Sequence, residues 1–311
     1  MPVIKNMEKI KNNIKKIKEI SKKVMTWKGL AIVVAITFVF TQVVGLNLNL
    51  LAKVDSAIAD YRENKTKKEV LPNEVVIPVW WNDAGRKLAS TGVIDVGKFE
   101  KLFEQRGGIH EETKKLLYES GITEIKINEE NAGQILNLLW AFGLANKNRV
   151  LEEGPMTEYD TSKFASTGGW SLADGNPMSH YSKHDFVNLD ESKQELVERV
   201  AKGIYRPCCG NHTYFPDCNH GMAMLGLLEL MADRGLTESQ MYEFALKFNS
   251  YWFPDTYLTI AKFMKEKRGI DWSDVDPKEV LGNDYSSAVA YRQIRAEIEP
   301  VQISAGGSCG V

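Results

Sequence analysis

Residues 29–52 read G-L-A-I-V-V-A-I-T-F-V-F-T-Q-V-V-G-L-N-L-N-L-L-A and carry no charge. At about 1.5 Å per residue, a helix of this length crosses a hydrocarbon core of about 30 Å. Trp27 and Lys28 stand where an interfacial anchor belongs. Gln42, Asn47 and Asn49 weaken the far end, so a shorter span, 27–46, also fits. This block sets the expected plan: a basic segment (1–27), a transmembrane helix (28–52), a stalk (53–73), a body (74–300) and a tail (301–311).

Charge follows the same plan. Residues 1–28 hold nine lysines against two glutamates, a net of +7. Residues 53–311 hold 30 basic against 39 acidic groups, a net of −9. Ile4, Met7, Ile10, Ile14, Ile17, Ile20 and Val24 recur at steps of three or four. They make one apolar helical face flanked by lysines, suited to an anionic leaflet. Basic charge confined to one end does not describe a nucleic-acid binder. The lysines before the span put the N-terminus in the cytoplasm and the body outside it, in a single-pass plasma-membrane protein. A cleaved signal peptide is the rival. Its basic region would be long, and the best small-residue site, Ala57-Ile58-Ala59, lies well beyond the apolar block.

The stalk is polar, mixed in charge and closed by Pro72. The body opens with V-V-I-P-V-W-W, which is β-prone, although Pro78 argues against a central strand. A punctuation unit then recurs at Gly92-Val93-Ile94-Asp95, Gly121-Ile122-Thr123, Gly235-Leu236-Thr237 and Gly269-Ile270-Asp271. Glycine closes one helix in the left-handed conformation, and Asp or Thr caps the next. The pattern predicts helices near 97–106, 111–119, 129–145, 190–203, 218–233, 238–250, 255–267 and 284–298. The expected fold is therefore mainly α: one N-terminal transmembrane helix, then a multi-helix extracytoplasmic domain. Residues 151–188 are too rich in Gly, Ser, Thr, Asp and Pro for regular structure and read as one long irregular loop, a kind that is often functional. Tyr214-Phe215-Pro216-Asp217 and Trp252-Phe253-Pro254-Asp255 echo each other as helix starts.

Seven of the nine cysteines and histidines fall between His180 and His220. His180 and His184 are four apart and would share one face of a helix started by Pro177 and capped by Asn176 or Ser179. Then come Cys208, Cys209, His212, Cys218 and His220, spaced C-x2-H-x5-C-x-H from Cys209. Two thiolates and two imidazoles suit zinc, and copper or iron accept the same donors. The expected ligands are Cys209, His212, Cys218 and His220, joined by Cys208, His180 or His184. The helix that begins near Cys218 would favour its thiolate.

Three roles compete for these residues. In the first they hold a transition metal for redox or metal handling, with a metal donor or acceptor protein as partner. In the second, Cys208, Cys209 and Cys218 exchange disulfides with Cys309, carried on the Gly-rich tail, and the partner is a thiol protein. In the third, disulfides merely staple a non-catalytic interaction domain, as the oxidising compartment allows. A cysteine hydrolase based on Cys218 has no flanking signature, and no phosphate loop, dinucleotide fingerprint or serine elbow is present. The many aromatic residues sit at core-like positions.

Overall fold

The computed structural model describes residues 2–24 and 27–302. Its contacts divide the chain into two compact units, 1–64 and 65–311.

In the first unit, α1 spans Pro2–Val24, and Ile14, Ile17 and Ile20 on it are exposed. The next helix, α2, runs from Trp27 to Val70. Within it, Trp27–Gly45 is long and apolar enough to cross a membrane or to serve as a signal sequence. The segment expected as a stalk is helical through Val70. Ala, Glu, Lys and Arg supply strong helix propensity there, and Lys65 pairs with Glu69 one turn on. Pro72 then stops the helix.

The second unit is helical with one small sheet. β1 (Val75–Ile77) ends at Pro78 and pairs antiparallel with β2 (Ile125–Ile127), Val76 opposite Lys126. Between the strands lie α3 (Ala84–Ser90), α4 (Val96–Glu104) and α5 (Glu111–Tyr118). After β2 come α6 (Ala132–Ala145) and α7 (Arg149–Glu153). Past the long loop follow α8 (Glu191–Gly203), α9 (Asn219–Arg234), α10 (Glu238–Trp252) and α11 (Pro254–Phe263). The last are α12 (Pro277–Leu281), α13 (Asn283–Ser286) and α14 (Ala288–Glu297).

The glycine units do as expected at the backbone. Gly92, Gly121, Gly235 and Gly269 all have φ between +70° and +83°. Asp95 caps α4 by accepting from Lys98 N, and Thr237 forms a reciprocal capping box with Gln240 at α10. The unit at Gly121 leads into β2 instead of a helix, because the alternating E-I-K-I that follows buries Ile125 and Ile127 on one side.

The centre of the unit is the crossing of α6 and α9, which are largely apolar and buried almost throughout. Gly143 and Gly226 meet there. A Cβ on Gly226 would lie 2.5 Å from Leu139 O, so only glycine lets the two backbones touch. α8 and α10 pack on α9, and α11, α12 and α14 extend that layer.

From Gly154 to Asp190 there is neither α-helix nor strand, only single 3-10 turns at Pro155–Glu158, Thr161–Lys163 and Pro177–Ser179. The segment is nonetheless packed. Trp170 Nε1 donates to Val93 O, Trp140 Nε1 donates to Ser166 O, and the two indoles meet at 4.6 Å.

Candidate functional site

After α8 the chain reverses tightly. Arg206 N donates to Asn211 O, Gly210 N donates to Arg206 O, and Gly210 takes φ +82°. Tyr205 pairs with His212 across the reversal. Cys208 and Cys209 sit at its tip and are exposed. Cys218 is the N-cap of α9, with extended backbone and no side-chain capping bond. That leaves its sulfur free to face the tip.

The three sulfurs converge. Cys218 Sγ lies 3.6 Å from Cys208 Sγ and 3.8 Å from Cys209 Sγ, and all three fall within 4.8 Å of one another. Beneath them lies Arg206, only 1% exposed. Its Nη2 donates to Asp217 Oδ1 at 2.6 Å and to Phe215 O, and its Nε reaches Cys209 Sγ at 3.4 Å. Asn211 donates to the second oxygen of Asp217. The guanidinium lies against the first turn of α9, where a Cβ on Gly221 would meet Nη1 at 2.6 Å.

These contacts sort the thiols. Hydrogen bonds from Cys208 and Cys218, then the Arg206 charge, hold Cys209 far below the ordinary thiol range. Cys208 is pushed far above it by its bonds to Cys209 and Cys218. For Cys218 the Cys208 contact lowers the thiol, but the Cys209 contact and burial outweigh it and leave it raised. These contacts favour the thiolate at Cys209 over Cys208 and Cys218.

The histidines are placed differently from expectation. Among the described residues the close ligand group contains Cys208, Cys209 and Cys218 and no imidazole. His212 packs against Tyr205 and Tyr214, and burial lowers its pKa. His220 is buried against Phe253, and burial followed by the Arg206 charge holds it down to about 3. Met222 and Met224 are core residues of α9. Cys309 lies outside the described residues.

His180 and His184 are not on a helix: Pro177 starts, and Asn176 caps, only a three-residue 3-10 turn. Nor does the loop carry them to the thiols. His184 bridges to Asn146, whose side chain donates to Glu229 of α9. Glu229 is eleven residues along α9 from Cys218, about 16 Å at the helical rise. The loop reaches the thiol end instead through Ser166 N, which donates to Asp217 O. The two F-P-D echoes also differ. Pro254 begins α11 with Phe253 as its N-cap, whereas Pro216 precedes α9 by three residues.

Arg206 and Glu229 are the residues that sequence reading passed over. A basic residue two positions before paired cysteines was the available signal for Arg206. For Glu229 it was one carboxyl inside M-A-M-L-G-L-L-E-L-M-A. Asn146 and Asn148 each donate to that carboxyl, at 2.8 and 2.5 Å, and complete burial raises its pKa well above normal.

No protein-family model, no curated protein and no solved structure matches the chain.

Proposed function

We propose that this protein is a membrane-anchored, extracytoplasmic binding protein for a thiophilic transition metal, held by the thiolates of Cys208, Cys209 and Cys218. The sulfur spacing carries this reading. Two thiolates about 2.3 Å from a tetrahedral zinc stand about 3.8 Å apart. The pairs on Cys218 stand at 3.6 and 3.8 Å, far from the roughly 2.05 Å of a disulfide. The donor set suits zinc or copper(I) better than harder ions. Arg206 offsets part of the thiolate charge, and the exposed faces of Cys208 and Cys209 leave a way in and out for a metal handed to or from a partner protein. The membrane placement rests on the apolar Trp27–Gly45 helix and on the lysines before it.

The test is elemental analysis and thiol counting on the full chain, purified in detergent under reducing conditions. One zinc or copper per chain, lost in Cys218→Ser, is the expected result. Metal-free protein, or unchanged metal in the variant, refutes the reading. The alternative of thiol–disulfide exchange draws on the same Cys209 thiolate beside two thiols. Mass spectrometry showing an exchangeable Cys208–Cys218 bridge without metal would favour it.

A further inference from the structure

We propose that His180 and His184 form a second, independent metal site, which takes a borderline divalent cation (copper(II), nickel(II) or zinc) through His180 Nδ1 and His184 Nε2. Water fills the remaining positions. The two nitrogens face each other at 3.1 Å, with the rings 24° apart. Two imidazoles bound at about 2.0–2.1 Å stand about 2.9 Å apart at a right-angled centre and about 3.3 Å apart at a tetrahedral one. The observed separation lies between the two.

The pair is held in place from several sides. Ser182, between the histidines, has φ +49°, a conformation that non-glycine residues adopt only when their surroundings impose it. Its N donates to Leu144 O, and its Oγ accepts from Asn148 N and donates to Glu152. Lys183 N and His184 N both donate to Ala145 O, and Lys147 N donates to His184 O. The end of α6 thus fixes the reversal that turns one imidazole on the other. A single hydrogen bond between two histidines does not call for a strained serine so thoroughly tied down. Pre-organised donors do.

The chemistry needs no added reagent. In the metal-free pair one imidazole donates its N–H to the other. On metal binding, the donor ring moves its proton to its other nitrogen and both facing lone pairs become ligands. For His180 that other nitrogen, Nε2, lies beside Gly92, whose missing side chain leaves it room. His184 is only partly buried, so a cation and its waters can enter. Imidazole suits copper(II), nickel(II) and zinc, and the pair, unlike the thiol cluster, offers no soft sulfur donor.

The experiment uses the full chain in detergent with Cys208, Cys209, Cys218 and Cys309 all changed to serine, so that failure here is distinct from failure of the thiol site. Copper(II) is titrated and followed by calorimetry and pulsed EPR. One copper per chain, showing the remote nitrogens of two imidazoles, is expected. His184→Gln, which keeps a hydrogen-bonding amide, should lose one imidazole and weaken binding by more than about 100-fold. His110→Gln should change neither. A spectrum with fewer than two imidazoles before any histidine is changed, in a protein whose melting shows it folded, overturns the proposal. Unchanged affinity in His184→Gln overturns it as well.

Discussion

Replacing Arg206 by Met tests the ionic base of the thiol cluster. The guanidinium is 1% exposed, and its direct partners are Asp217 Oδ1 at 2.6 Å, the Phe215 carbonyl and Cys209 Sγ at 3.4 Å. Methionine fills much of the same volume but donates nothing. It leaves the Asp217 carboxylate with Asn211 and the long contact from Cys209 Sγ, and removes the cation beside Cys209. Breaking one side of a buried pair costs about 3–5 kcal/mol. Asp217 is about a fifth exposed, so water recovers part of this and about 2–4 kcal/mol is the reasoned loss. For a unit of this size that lowers the melting temperature by about 5–15 °C. Adding Asp217→Asn removes the stranded carboxylate, so the double variant should melt above Arg206→Met alone. The Cys209 thiol should also rise toward the ordinary range, and its alkylation at pH 6 should slow relative to the parent. Tryptophan-detected melting of the three proteins and alkylation rates against pH provide the readouts. A single variant that melts with the parent, or a double variant that melts lower still, refutes the reasoning.

Three further outcomes are expected. Gly226→Ala drives a Cβ to 2.5 Å from Leu139 O at the α6–α9 contact and should cost about 1–3 kcal/mol, whereas Gly133→Ala, with open space around it, should be neutral or stabilising; denaturant titration compares them. In Glu229→Gln the new amide faces two Asn donors that cannot flip, since Asn146 Oδ1 accepts from Phe186 N and Val187 N and Asn148 Oδ1 accepts from Val150 N. That mismatch should cost about 1–3 kcal/mol at pH 5. Because the folded carboxyl titrates above its unfolded value, its stabilisation is full below about pH 4.5 and declines as pH rises toward the folded pKa, by up to about 1.4 kcal/mol per pH unit. The Gln variant lacks that decline, so urea titrations at pH 5 and pH 8 should show the gap closing. At the thiol cluster, the raised Cys208 and Cys218 thiols would each give up a proton to the proposed metal, while the lowered Cys209 thiol releases its own more readily. Affinity should therefore fall about 100-fold per pH unit lost near neutrality, read by competition with a chelator of known affinity.

The long helices were legible because their ends were written in the sequence. Gly235 closes α9, and Thr237, two residues on and paired with Gln240, opens α10. The short elements were not. α3, α12 and β2 span seven, five and three residues, too few for a period to show. Ile125 and Ile127 become a strand only because Val75–Ile77 lies beside them. At the site, the convergence of Cys208, Cys209 and Cys218 followed from a tight turn and a helix start, both local. The histidines depended on long-range packing. Phe253, more than thirty residues along, occupies the face of His220, and the end of α6 captures the loop that carries His184. No spacing rule contains those partners.

The helix α9 brings these observations to one point. Its N-cap carries the thiol that faces the Cys208-Cys209 turn, and its first turn backs the buried arginine. Eleven residues on, its one buried carboxyl grips Asn146 and Asn148, and Asn146 holds the backbone of Phe186 and Val187 just past the histidine pair. An apolar helix gains nothing in stability from a fully buried glutamate, since a well-packed leucine would avoid the desolvation. What Glu229 supplies is direction: two acceptors that fix two amides, and through them a loop with no regular structure of its own. The same logic holds at the other end, where Arg206 fixes Asp217 and Cys209 at the expense of a buried charge. Rigid α9 thus carries two polar clamps, and each orients side chains of the proposed metal sites that the loops alone would leave unpositioned.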